Sequence, residues 1–117
     1  MCYARGMKIN THPSISPTLV GHPLHLAPGQ ATVELVATRE MAADPQGLVH
    51  GGFVFGAADY AAMLAVNDPN VVLGSADVRF TAPVRVGQRV RIHAEVAEQS
   101  GKKHAVCIDT KETAVFW

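Results

Sequence analysis

The sequence predicts an α+β fold in which one central helix meets a largely antiparallel sheet, and three observations lead there. Gly51 to Val66 is one stretch of helical length, rich in Ala, Leu and Met, with a single charge. The segments that follow it are short alternating runs with many β-branched residues, bounded by Gly, Pro and Asn. At 117 residues the chain supports one domain, 1–117, able to bury roughly two-thirds of its unfolded surface around one core.

Residues 1–28 contain Pro13, Pro17, Pro23 and Pro28, which excludes a long regular element and predicts an N-terminal arm on the core, with a short helical turn between Ser14 and Val20. From Gln30 to Arg39, Ala31-Thr32-Val33-Glu34-Leu35-Val36 alternates as a half-buried strand should. Ala42 to Gly47, with Asp44-Pro45, reads as loop and leads to His50-Gly51-Gly52. The helix Gly51 to Val66 stops at Asn67-Asp68-Pro69-Asn70, because proline cannot continue it. Strands are then expected over Val71 to Thr81, Gln88 to Glu98 and Lys103 to Thr110, the last two joined by a turn at Ser100-Gly101, with a short final piece near Thr113 to Trp117. A helix apolar nearly all round is expected to be buried nearly all round.

Ten basic and ten acidic side chains cancel, so no overall field draws the molecule to nucleic acid or to an acidic membrane. Cys2 and Cys107 are far apart and lack metal-ligand spacing, which predicts neither a disulfide framework nor a structural zinc and fits a reducing cytoplasm. His22-Pro23-Leu24-His25 is not expected to bind metal, since Pro23 disrupts a helical geometry and no third ligand clusters nearby. No run approaches the ~20 apolar residues that span a bilayer. Nucleophile-elbow, phosphate-loop and dinucleotide fingerprints are missing from the sequence.

The informative charge is Asp59, nine residues after His50. On a helix of about 3.6 residues per turn its face also carries Gly52, Phe55, Gly56, Ala62, Met63 and Val66, and no basic residue lies within one turn. A carboxylate buried without a partner is costly or takes up a proton, so Asp59 is expected to work as a base, nucleophile or ligand. Gly51 and Gly52 open the helix, where the first N–H groups have no internal acceptor and carry the positive end of the dipole. Lacking side chains, they let a ligand oxygen approach, as stabilisation of an oxyanion requires. His50 serves either the start of the helix or a substrate. Seven residues separate Gly52 from Asp59, about 10 Å at ~1.5 Å per residue, too far for both to act on one atom. Two antiparallel copies of the helix across a two-fold axis, approaching through Gly52, Gly56, Ala57 and Ala58, would bring the two together and make two equivalent sites.

The run Gly47-Leu48-Val49-His50-Gly51-Gly52-Phe53-Val54-Phe55-Gly56-Ala57-Ala58-Asp59, followed by Phe80-Thr81-Ala82-Pro83-Val84-Arg85-Val86-Gly87, resembles the hotdog-fold acyl-CoA thioesterases of the PaaI-like type, in the 4-hydroxybenzoyl-CoA thioesterase superfamily. The resemblance extends from about Thr32 to Thr110. It implies a curved antiparallel sheet wrapped around the long helix, and a homodimer or homotetramer. It implies hydrolysis of an acyl-CoA thioester, with Gly51 or Gly52 holding the carbonyl and Asp59 of the partner subunit as base or nucleophile. Coenzyme A is part of the substrate and no separate cofactor is implied. Its phosphates would meet cations among Arg79, Arg85, Arg89, Lys102 and Lys103, and Phe53, Phe55, Tyr60, Met63 and Leu64 are the available apolar wall. Ser75 and Asp77 are the candidates for holding the attacking water. Relative to that family the last strand is expected to be shortened at Trp117.

Two alternatives keep the same fold. One is a non-catalytic acyl-CoA binding or sensing module, although the sequence shows no helix-turn-helix pattern and retains Asp59. The other is a hydratase or dehydratase, whose Asp-x-Asn-Pro-x-His pattern Asp44 to His50 fails in spacing and in lacking the asparagine.

Overall fold

The computed structural model describes residues 2–3, 7–79 and 82–113. Its elements in chain order are β1 (Cys2–Tyr3), α1 (Pro17–Val20), β2 (His22–Ala27), β3 (Gln30–Val36), a 3-10 turn (Arg39–Met41), α2 (Gly51–Val66), β4 (Arg89–Ser100) and β5 (Lys103–Thr113). The strands form one sheet in the order β1-β2-β3-β4-β5, antiparallel from β2 to β5, with β1 parallel to β2. This is the α+β arrangement of the hotdog fold, a sheet packed on one long helix.

Alternation along β3 and β4 decides which side of the sheet meets the helix. Ala31, Val33 and Leu35 on β3, and Val90, Ile92 and Ala94 on β4, are buried and lie in register as Ala31↔Ala94, Val33↔Ile92 and Leu35↔Val90. Against them α2 presents Ala57, Tyr60, Ala61, Leu64 and Ala65, the i, i+3, i+4 stripe of one helix face. Burying a Leu or Ile such as Leu64 or Ile92 contributes roughly 2 to 3 kcal/mol relative to exposure.

The helix has the bounds its composition predicts, but not burial all round. Gly52 is exposed, and Phe55, Ala58 and Asp59 are half-buried. Ala57, placed by the sequence on the approach face, is instead fully buried in the core. Asn67 ends the helix in the left-handed conformation (φ 56°, ψ 40°), its N–H donating to the Met63 carbonyl at 2.7 Å.

Two expectations need correction. The N-terminal arm contributes β2 to the sheet, because the chain accommodates Pro23 where the β2–β3 register shifts, between Pro23 and His25, rather than within a regular ladder. The strand expected from Val71 to Thr81 does not form over 71–79, which is irregular and mostly exposed, with Val72 at 82%. Alternation prepares a strand, but pairing makes one, and no described residue pairs with the outer edge of β5. Residues 80–81 and 114–117, and with them the final piece and its shortening, lie outside the described residues. Among the described residues no helix is long and apolar enough to cross a membrane.

Candidate functional site

Backbone hydrogen bonds fix the point at which α2 begins. His50 N–H donates to the Met41 carbonyl at 2.9 Å, Val49 N–H to Val84 at 2.8 Å, and Ala43 N–H to Leu48 at 2.7 Å. Asp44 tightens the preceding loop, one carboxylate oxygen accepting from the N–H groups of Gln46 and Leu48 at 3.0 Å each. His50 then stands as N-cap in extended backbone, without a side-chain bond to the helix start. Its ring packs edge-on against Phe53, with centroids 6.1 Å apart.

Glycine at 52 makes that placement possible. A Cβ there would lie 2.9 Å from His50 Nε2 and 3.0 Å from Cδ2, so the imidazole rests on the bare Cα. The start of the helix thus offers amide donors beside an exposed imidazole. At Gly56, one turn before Asp59, a Cβ would meet nothing within 4 Å.

Asp59 projects from the other half of the same face. One carboxylate oxygen is buried with no hydrogen-bond partner among the described residues. Burial pushes its pKa above the usual carboxylate range, and the nearby charge of His12 pulls in the opposite direction. The carboxylate lines an open cavity of about 1530 Å³. One wall is α2, through Val54, Phe55, Ala58, Ala62, Met63 and Val66, and the rest includes segment 71–79 and the β4–β5 hairpin.

The cavity gathers Asp59, Phe55, Met63, Ser75 and Asp77 with the cations Arg79, Lys102 and Lys103. It does not gather Phe53, which packs partly buried against the core, or Tyr60, which is part of that core. Leu64 is likewise fully buried in the core. Gly51, Gly52 and His50 stand at the helix start, outside its lining. Of the other expected cations, Arg89 lies 3.7 Å from Glu34 and Arg85 is exposed. Sequence reasoning missed His12, which the N-terminal segment brings beside Tyr60 with ring centroids 6.0 Å apart. No local motif marks it.

Known proteins share this fold. Over 103 residues the chain is 52% identical to methylthioribose-1-phosphate isomerase of Aquifex aeolicus, a match covering 88% of this chain and 23% of that protein. It is 30% identical over 101 residues to transcription factor FapR of Caldanaerobacter subterraneus, covering 84% of this chain and 50% of that one. The chain therefore spans from about a quarter to half the length of these two curated relatives. Among solved structures, the uncharacterized protein PH1136 from Pyrococcus horikoshii matches with a TM-score of 0.88 and 51% identity, over 90% of this chain and 81% of that one. A variant of the phenylacetic acid degradation protein PaaI from Thermus thermophilus matches with a TM-score of 0.72 and 28% identity, over 83% of this chain and 84% of that one. The thioesterase superfamily model matches residues 46–111, which run from the loop before α2 to the body of β5. On that match, and on a helix and sheet shared with PaaI, this chain belongs to the thioesterase superfamily, among its PaaI-like hotdog members.

Proposed function

We propose that the protein hydrolyses an acyl-CoA thioester to the free acid and coenzyme A, working as a homodimer or a pair of dimers in the cytoplasm. The observation that carries this reading is Asp59: a carboxylate with a buried, unpartnered oxygen, facing a cavity large enough for an extended acyl chain. Reacting atoms must approach to about 3 to 3.5 Å, whereas Gly52 and Asp59 lie about 10 Å apart along one helix. Each site therefore joins the helix start of one protomer to Asp59 of the partner subunit.

In this mechanism the thioester carbonyl accepts hydrogen bonds from the Gly51 or Gly52 amide, and the helix dipole favours the developing oxyanion. The partner's Asp59 takes a proton from water as it attacks the carbonyl carbon, or attacks that carbon itself to form an anhydride that water then opens. The carbon–sulfur bond breaks, and the thiolate leaves and is protonated as coenzyme A. His50 supports the helix start, and Ser75 or Asp77 orients water from the cavity wall. Phe55 and Met63 bound the acyl group, while Arg79, Lys102 and Lys103 face the phosphates. Water and the thioester suffice, with no cofactor.

A second reading, a non-catalytic acyl-CoA sensor, is favoured by the transcription-factor relative, of which this chain spans half. The two separate in a thiol-release assay over a panel of acyl-CoAs, run with the native protein and Asp59→Ala. Release well above background, lost in the variant, supports hydrolysis. Equal background release from both, with coenzyme A still bound, moves the assignment to the sensor. The isomerase name rests on a match to 23% of that protein and carries no proposal here.

A further inference from the structure

A second concavity, of about 380 Å³, shares no lining residue with the cavity at Asp59. Its apolar walls are Ile9, Ile15 and three prolines, and its polar groups come from His12, His22 and Tyr60. Ile15 is 40% exposed, whereas Tyr60, at 6%, joins the hollow to the core. The N-terminal segment that builds it is pinned to the end of α2 by Asn67, which accepts from the Asn10 N–H at 2.8 Å and donates through Nδ2 to the Lys8 carbonyl at 2.7 Å. The hydroxyl of Thr11, a residue 3% exposed, lies 2.6 Å from His12 Nδ1 and hydrogen-bonds it. The same imidazole packs on Tyr60 with ring centroids 6.0 Å apart. His12 has φ 52° although it precedes Pro13, where extended backbone is favoured. Asn67, the other described non-glycine residue with positive φ, caps a helix, and His12 caps none. Strain of this kind, held by its surroundings, clusters at ligand clamps and switches.

We infer that this concavity is a second, non-catalytic binding site, for a small carboxylate with an apolar body. Thr11 occupies Nδ1 of His12, which leaves Nε2 to a ligand. With the Thr11 hydroxyl donating, Nε2 carries a proton, as it also does in the imidazolium, and donates to an anion. His22 supplies a second ring, and no residue lining the hollow is acidic. Glu34, opposite His22 in the β2–β3 register, is paired with Arg91 at 3.1 Å and Arg89 at 3.7 Å. Asp59, one position before Tyr60, lines the other cavity. Size and charge together set the ligand class. The volume stands at the lower end of the roughly 300 to 1,000 Å³ of small-molecule pockets, which suits a small organic acid. No lysine or arginine lines the hollow, so the two charges of a phosphate would go unanswered, whereas two imidazoles match one carboxylate. Two imidazoles without a carboxylate or thiolate also fall short of the three or four ligands that hold zinc. The isoleucine and proline walls take the apolar part of the acid out of water.

The test is a titration of the whole chain with hexanoate, read from ¹H–¹³C spectra of the imidazoles. Signals of His12 and His22 should shift together and saturate at one concentration, independently of His104, which reports the Asp59 cavity. Hexanamide, of the same shape without the charge, and inorganic phosphate, without the apolar body, should each bind about tenfold more weakly or worse. His12→Asn, which tolerates the left-handed backbone, and His22→Gln, at an exposed position, should each weaken hexanoate about tenfold. Unshifted His12 and His22 signals, or shifts confined to His104, would overturn the inference. So would hexanamide or phosphate binding as tightly as hexanoate. The titration of the native chain decides the matter even where a variant does not fold. It is also separate from thiol release, whose absence would overturn hydrolysis alone.

Discussion

The imidazole of His50 occupies the space that a side chain on Gly52 would need, with Nε2 2.9 Å from the position of a Cβ. Gly52→Ala should therefore swing the ring off the first turn of α2 and crowd the amides beside it. Because Gly52 itself is exposed, stability should change by no more than about 1 kcal/mol. Under the proposed mechanism, kcat on acyl-CoA should drop about a hundredfold, the scale of a misplaced oxyanion donor. Steady-state kinetics beside a melting curve checks both halves, and unchanged turnover would remove this turn from the site.

Asp59→Asn should separate stability from activity. The wild-type carboxylate has a raised pKa in the folded state because burial disfavours its charge. Between the unfolded and folded pKa values the native state binds more protons, so stability falls as pH rises through that window. The variant carries no such charge and should be more stable than wild type at pH 7, a gain that disappears in acid. Hydrolysis should fall by about 10² to 10⁴. Denaturant melts at pH 7 and pH 4 test the sign, and a less stable variant at pH 7 would contradict it.

Gly56 faces open space on the Asp59 side of α2. An alanine there should raise the stability of an isolated chain by about 1 kcal/mol through helix propensity alone. Gly56→Leu should instead keep two helices from meeting across a two-fold axis. Sedimentation is expected to show monomers of intact helical content without acyl-CoA hydrolysis. A fully active dimer would rule out helix pairing at this position.

Gly21 leads into β2 with φ 97°, and a Cβ there would stand 2.5 Å from Val33 Cγ1 and 2.9 Å from the Glu34 carbonyl oxygen. Both the backbone region and the space exclude a side chain. Gly21→Ala should cost about 3 kcal/mol and lower Tm by about 10 °C, measured by thermal unfolding.

What could be read in the sequence follows how local its causes are. Composition and the Asn-Asp-Pro stop lie within or beside Gly51–Val66, and the helix has those bounds. Alternation in β3 and β4 reports which side faces the core, and the buried residues are the alternating ones. The stretch 71–79 alternates less cleanly around Gly74, and its state depends on whether another strand accepts it, which its own residues do not encode. Pro23 argued against a strand, yet a register shift in β2 absorbs it. At the site, Asp59 stood out because a charge in an apolar helix is locally anomalous. The contact of His12 with Tyr60 gave no such signal, since residues far apart in sequence, the Asn10–Asn67 pair among them, bring the N-terminal segment to the helix.

That pin also orders events in folding. A hydrogen bond between Asn10 and Asn67 closes a loop of 57 residues, and neither of its partners is in place until α2 has been terminated. Residues 7–12 are therefore expected to dock late and to be among the first to exchange amide protons. The described part of the N-terminal segment is then laid against the end of α2 after the core has assembled.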